Sequence, residues 1–330
     1  MDKTIRYIID KALENEMLSK EELIQLLKIE EGSEESAMMR YASRKISMRR
    51  LDGKAEIHGQ IGLDASPCPI DCKFCSFAPS NHVFETASKL SVDDIIADVN
   101  EMEREGANAV YLMTTANYKF DHFIDVVKAV KAAQITDATL VANIPDFSET
   151  NAVRLKDAGI DAVYHAIRMG EGDTTGVQIA RRQKTIRGAK EAGLAVGMCI
   201  EPIGPEHTVE EIAEKTEIAR DLGVNYAGSM RRTYIPGSNF PAEEVTYWRM
   251  ADIVAAINLY LGDQVKGLTS HEPNALAMDV GADLFFGEIG TNPRDTSEET
   301  LRGWSIERVA DLFRESGYEI LEGRSKILEL

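Results

Sequence analysis

From about residue 57 the chain alternates short apolar runs with amphipathic stretches. The runs are "IHGQIGL" (57–63), "AVYLMTT" (109–115), "ATLVANI" (138–144), "DAVYHAI" (161–167), "LAVGMCI" (194–200), "VNYAGSM" (224–230), "QVKGLTS" (264–270) and "ADLFFGE" (282–288). Runs this short and this apolar read as buried strands. The stretches between them, such as "SVDDIIADVNEMEREG", "DHFIDVVKAVKAA" and "TVEEIAEKTEIARDLG", space their apolar residues as helices do. Gly106, Gly159, Gly193 and Gly223 stand where such a helix must turn into the next strand. Eight strand candidates with helices between them predict an α/β fold, a complete (β/α)8 TIM-type barrel. A doubly wound open sheet is the alternative.

Residues 1–50 read as helical instead. "SKEELIQLLKI" opens on Ser19 with glutamates in its first turn, as a capped helix should, and "SEESAMMRYASRKISMRR" gathers its basic residues toward its C-terminal end. With no repeat, low-complexity segment or linker in view, the expected organisation is an N-terminal helical extension (1–50) on one barrel domain (51–330). On a barrel, chemistry collects at the C-terminal ends of the strands.

Composition narrows the classes. A hydrophobic fraction of 44% in 330 residues is ample for a core, and a net charge of −18 argues against a nucleic-acid partner. The first residues hold no apolar h-region, and nowhere do 18 apolar residues run together. Neither secretion nor a membrane is therefore expected, and a cytoplasmic location is. The four cysteines fall three-plus-one, a distribution that suits metal binding in a reducing compartment better than a disulfide framework.

Three of those cysteines, Cys68, Cys72 and Cys75, lie in "CPIDCKFC", just after the first strand candidate. Thiolates select zinc, copper(I) or iron–sulfur clusters. A closed zinc site needs a fourth ligand, for which His82 is the nearest candidate. Three ligands on a cubane cluster leave one iron open to bind and orient another molecule.

The Cys-x3-Cys-x2-Cys spacing, with Phe74 before the last cysteine, resembles the radical S-adenosylmethionine superfamily, and "CPIDCKFCSFA" is especially similar to the loop of its biotin-synthase-like group. "GADLFFGEIGTNP" and "RRQKTIRGAKEAGL" resemble segments of biotin synthase, and "SEESAMMRYASRKI" resembles the lead-in of methylornithine synthase and a hydrogenase maturase. The resemblance implies a [4Fe–4S] cluster on Cys68, Cys72 and Cys75, its open iron chelating S-adenosylmethionine. One electron, from a donor such as flavodoxin or ferredoxin, then yields a 5′-deoxyadenosyl radical that abstracts a substrate hydrogen.

It also implies roles around S-adenosylmethionine. Phe74 would shield the cluster, Thr114 and Thr115 would hold the methionine amino group, and Arg182, rather than Arg181, would pair with the methionine carboxylate. "YHAIRMGEGD" departs from the group's ribose-binding pattern, with Glu171 or Asp173 as replacements. Ile203, Gly204 and Pro205 fall on the adenine-binding turn.

The substrate end reads differently from biotin synthase. Two of the three strands that would supply a second, sulfur-donating cluster hold no cysteine, and alternation turns Cys199 to the outer face as a buried hydrophobe. Polar residues crowd the strand ends instead: Asn143, His165, Arg168, Glu201, Arg231, Arg232, Tyr234, His271 and Glu272. Of the two arginines only one can point inward, and Arg232 is taken as that one. Buried charge must be paired or bind something. The expected function is a single-cluster radical enzyme acting on a small polar, anionic substrate in cofactor biosynthesis. Sulfur insertion at an atypical site, and a non-catalytic zinc or iron–sulfur module, are the alternatives.

Overall fold

All eight apolar runs become strands, and every neighbouring pair is parallel. The computed structural model describes residues 2–290 and 303–330. The strands are β1 (Lys54–Gly62), β2 (Ala109–Met113), β3 (Thr139–Asn143), β4 (Ala162–Tyr164), β5 (Ala195–Gly197, resuming at Ile200–Ile203), β6 (Tyr226–Arg231), β7 (Gly267–Ser270) and β8 (Leu284–Ile289). Each pairs with the next, and β8 returns to β1 through registered pairs from Glu56↔Leu284 to Ile61↔Ile289. That last pairing closes the barrel and removes the open-sheet alternative. Of "GADLFFGEIGTNP", the residues Thr291, Asn292 and Pro293 lie outside the described residues.

Helices α4 (Val92–Arg104), α5 (Phe120–Ala133), α6 (Glu149–Ala158), α7 (Ile179–Glu191), α8 (Val209–Leu222) and α9 (Tyr247–Leu261) cover the strands. Ser91, Ser148, Thr208 and Thr246 cap four of them by accepting a backbone N–H of the first turn. Gly159 and Gly223 end α6 and α8 at φ of 111° and 60°, a region where only glycine is unstrained. Inside the barrel, a Cβ on Gly197 would fall 2.1 Å from the Tyr226 ring, so the bare backbone there makes room for that tyrosine.

The helix after β7, α10 (Ala275–Asp279), is barely one turn. The N-terminal helices α1 (Lys3–Leu13), α2 (Lys20–Leu27) and α3 (Glu34–Arg50) make up the shortfall, with α3 packed on α9, α10 and β7. Ser19 and Glu22 form the expected capping box on α2. A buried polar seam fixes α3 in place. Asp252 accepts from Ser36 Oγ at 2.8 Å and Arg40 Nη1 at 3.0 Å, and Asn258 Nδ2 donates to Ser43 O and Ser47 Oγ, both at 3.0 Å. No helix among the described residues is long and apolar enough to cross a membrane.

The N-terminal end of the barrel is plugged. After α11 (Ile306–Glu315) the chain pairs Glu319–Ile320 beside β1 and then runs under the barrel. The fully buried Glu56 carboxylate accepts from Lys326 N at 2.6 Å, Ile327 N at 2.9 Å and Ser325 Oγ at 2.5 Å. Its Oε2 also meets His58 Nε2 at 2.8 Å, and the imidazole continues to Tyr111 Oη (3.1 Å), which meets Tyr226 Oη (2.9 Å). A carboxylate buried this deeply persists because each lone pair finds a donor.

Candidate active site

Strand alternation on β1 turns Glu56, His58, Gln60 and Gly62 toward the barrel axis in ascending order. Gln60 and Gly62 line a cavity at the C-terminal ends of the strands. The chain then forms a two-residue strand, Asp64–Ala65, paired with Ser88–Lys89, and enters the cysteine loop. Asp64 anchors this entry to the end of β2 by accepting from Thr115 N at 2.8 Å and Thr115 Oγ1 at 2.5 Å. Within the loop, Cys68 N donates to Phe77 O and Cys75 N to Cys72 O, while Asn81 Nδ2 clamps the carbonyls of Lys73 and Cys75. Lys73 N reaches across to Thr174 O, tying the loop to the segment after β4.

Cys68, Cys72, Cys75 and Phe74 all line the cavity, together with Thr114, Thr115, Asn143, His165, Arg168, Arg182, Glu201 and His271. Burial pushes the Cys72 thiol up to about 11, with Arg168 the chief opposing influence, and pushes Cys75 further still. Metal binding is what turns such thiols into thiolates. Among the described residues, the set of three ligand groups held within 4.8 Å of one another is Cys199, Glu201 and His271; the loop cysteines are not so tightly drawn. A single zinc ion would bring its sulfurs to within about 4 Å. His82 is 77% exposed and faces Glu85, so it completes no zinc site. The loop's donor set fits a cluster whose sulfurs sit on separate irons.

A buried ion network flanks the cavity wall. Asp146, in the turn after β3, meets His165 Nε2 at 2.8 Å and accepts from Thr185 Oγ1 at 3.0 Å and Arg182 Nη1 at 3.2 Å. Burial alone would raise this carboxyl, but those donors outweigh it and hold Asp146 at about 2. The same burial, with Arg182 beside it, depresses His165 and favours its neutral form. Arg182 also reaches Glu171 Oε1 at 3.3 Å, and Glu171 is occupied further by Thr175 Oγ1 (2.6 Å) and Arg168 N (2.7 Å). Arg182 thus stands on the cavity with its guanidinium steered by two carboxylates. Arg181 is the exposed member of the pair, at 68%. Glu171 is engaged inside the wall and does not line the cavity.

Deeper in the cavity, Arg168 Nε lies 3.7 Å from Glu201 Oε1, and His271 Nε2 lies 3.8 Å from Glu201 Oε2. Burial opposes the Arg168 charge, but Glu201, Tyr164 and Glu171 more than offset it. The His271 ring stacks on Phe286, 4.6 Å between centroids.

Four expectations are corrected here. Arg231, not Arg232, lines the cavity, held by Glu272 at 2.6 and 3.1 Å; Arg232 turns away to Glu206 at 2.8 and 3.1 Å. Glu272 is thereby Arg231's partner. Tyr234 is off the cavity, its backbone N–H held by Glu244. Ile203 is 1% exposed in the core and Gly204 N is taken by His207 Nδ1, so Glu201 and Pro202 supply the cavity wall of that turn. Cys199 faces inward, its sulfur beside Glu201 and His271, because β5 breaks at Met198–Cys199 and resets the alternation. Sequence reading passed over Asp146, Asp64 and Tyr164. Asp64 and Tyr164 both adjoin strand ends, where a polar group was the available signal.

Residues 66–245, more than half of the chain, match the Radical SAM superfamily. The chain belongs to this superfamily. It is an enzyme of the biotin-synthase-like radical SAM group. The biotin synthase of Pelotomaculum thermopropionicum is 31% identical over 290 residues, which cover 82% of this chain and 87% of that protein. Among solved structures, methylornithine synthase (PylB) matches with TM-score 0.77 and 16% identity, covering 97% of this chain and 98% of that one. The [FeFe]-hydrogenase maturase HydG of Carboxydothermus hydrogenoformans matches with TM-score 0.78 and 15% identity, covering 96% and 79%. At these identities the structural likeness speaks for the barrel alone. Membership of a radical SAM superfamily implies S-adenosylmethionine and a [4Fe–4S] cluster.

Proposed function

We propose that this enzyme uses one [4Fe–4S] cluster on Cys68, Cys72 and Cys75 to act on a small polar substrate bearing an anionic group, an amino-acid-like molecule or cofactor fragment, in cofactor biosynthesis. The observation that carries the reading is the cavity lining: three half-buried cysteines and Phe74 at its mouth, and half-buried Arg168 and Arg231 with buried Glu201 and His271 below. The cluster, when bound, supplies the electron that cleaves S-adenosylmethionine and so starts hydrogen abstraction. The residues present do the rest. Arg182, aimed by Asp146 and Glu171, offers a planar donor pair to the methionine carboxylate. Phe74 shares the cavity wall with the cysteines, and Thr114 stands just past the end of β2. Arg231, preset by Glu272, and Arg168 supply positive charge for a substrate anion, while Glu201 suits an ammonium group.

The cysteine count favours this over sulfur insertion, since the chain has one cysteine left for any further cluster. Anaerobic reconstitution with iron and sulfide should give about four irons per chain, against about eight for a two-cluster enzyme. With S-adenosylmethionine and dithionite the product to follow is 5′-deoxyadenosine. A fully reconstituted protein that forms none, with or without amino-acid-like substrates, refutes the proposal.

A further inference from the structure

Cys199, Glu201 and His271 are 0%, 3% and 8% exposed, and their ligand atoms all lie within 4.8 Å of one another. Two come from the break and resumption of β5 and the third from the end of β7, two strands along. Cys199 and Glu201 are alternate residues about the resumption of β5 and so share a face. His271 follows β7, its ring fixed against Phe286.

We propose that these three side chains form a second metal site, holding a single divalent ion of the zinc or ferrous class at the floor of the cavity. Glu201 Oε1 faces Arg168, but Oε2 is buried and makes no hydrogen bond. Leaving such an oxygen without a partner is costly, and an ion removes the cost. The 3.8 Å between Glu201 Oε2 and His271 Nε2 is too long for a hydrogen bond, yet it suits two ligands of a shared ion. Bonds of about 2.1 Å at a tetrahedral angle put two donors about 3.4 Å apart, a small adjustment from what is present. The donor set of one thiol, one imidazole and one carboxylate excludes magnesium and calcium, which want oxygen shells, and selects borderline metals. An ionised thiol and carboxylate cancel the charge of a divalent ion. Burial pushes the Cys199 thiol well up, so it is the bound ion that would displace its proton.

Glu201 and His271 line the cavity while Cys199 stands behind them, so the fourth coordination position of a tetrahedral ion opens toward the substrate. There the ion would anchor a substrate nitrogen or oxygen. That role rests on reading the cavity as the substrate site; the binding of the ion does not.

The test uses the full chain with Cys68, Cys72 and Cys75 all changed to alanine, so that no cluster iron contributes, and Co2+ as the probe. One Co2+ per chain should bind, with a thiolate-to-cobalt charge-transfer band, and Zn2+ should displace it. Cys199→Ser should abolish the band, and His271→Gln should weaken binding by more than about tenfold, each with a melting temperature close to its parent. Free imidazole should shift the visible cobalt bands by filling the open position. Absence of the band in the parent, or its survival in Cys199→Ser, overturns the site. Iron with labile sulfide in the triple variant overturns its single-ion character, and an imidazole-insensitive spectrum overturns the open position. Failure of the radical reading would appear in the 5′-deoxyadenosine assay of the wild-type protein and not here.

Discussion

Replacing Asp146 by asparagine should destabilise the enzyme by an amount that depends on pH. The wild-type carboxyl is 4% exposed and surrounded by His165, Thr185 and Arg182. Against a starting value of 3.8, burial pulls it up and those donors pull it down harder, to about 2. Nearly two pH units at about 1.4 kcal/mol each is on the order of 2 kcal/mol. Because the folded value lies below the unfolded one, this stabilisation is complete above pH 4 and drains away as pH falls toward 2. An asparagine of the same shape cannot supply it, and it leaves Arg182 with Glu171 as its remaining carboxylate partner. At about 2.1 cal/mol/K per residue the unfolding entropy of this chain is roughly 0.7 kcal/mol/K, so the melting temperature should drop by about 3–4 °C at pH 7. Urea unfolding of both proteins at pH 7, 5, 4 and 3 reads the effect directly. The gap between them should hold steady from pH 7 to 5 and narrow below 4. A gap below about 0.5 kcal/mol at pH 7, within the range of ordinary surface substitutions, or one that ignores pH, would sink the argument.

Other outcomes follow from the same structure. Cys72→Ala should lose the brown cluster absorbance and S-adenosylmethionine cleavage together, while leaving the melting temperature of the cluster-free protein within a few degrees of its parent. His165 has a folded value depressed by burial, so below about pH 6.5 the unfolded chain takes up a proton that the folded one refuses. Wild-type stability should therefore decline from pH 6.5 toward 5, and His165→Gln should flatten that slope in urea titrations. Glu56→Gln should cost on the order of 2–3 kcal/mol, seen as a lower melting temperature, since a charged acceptor of two backbone amides and a hydroxyl becomes a neutral one. Arg231→Lys, which cannot keep the two-point contact with Glu272, should raise the substrate KM more than it lowers kcat.

The barrel was legible in the sequence because its strands are short apolar runs and its helices end on glycines such as Gly159 and Gly223. Both signals are local, and a barrel repeats them. The cysteine loop was legible because its ligands are neighbours in the chain. Where reading failed, the deciding partner lay elsewhere. Arg232 sits one residue beyond β6, so alternation no longer governs it; Glu206 on another segment turns it away. Cys199 was placed on the outer face by counting along an unbroken strand, and the break in β5 shifts the count by a residue. Asp146 lies in a turn without periodicity, and its role exists only once Arg182 and His165 are folded against it. Nor does the plug announce itself, since its bonds to Glu56 come mainly from backbone amides, which no residue pattern encodes.

That plug sets the traffic rules of the enzyme. With Glu56, His58 and the segment from Ser325 to Leu328 filling one end, the cavity is, among the described residues, a blind well that opens at the end carrying the cysteine loop. On the proposed function, a molecule seated on Glu201 and His271 would have to arrive before S-adenosylmethionine filled the space beside the cysteines, and its product would leave after the fragments above it. Turnover in such a vessel would be single file, with the first molecule in the last one out.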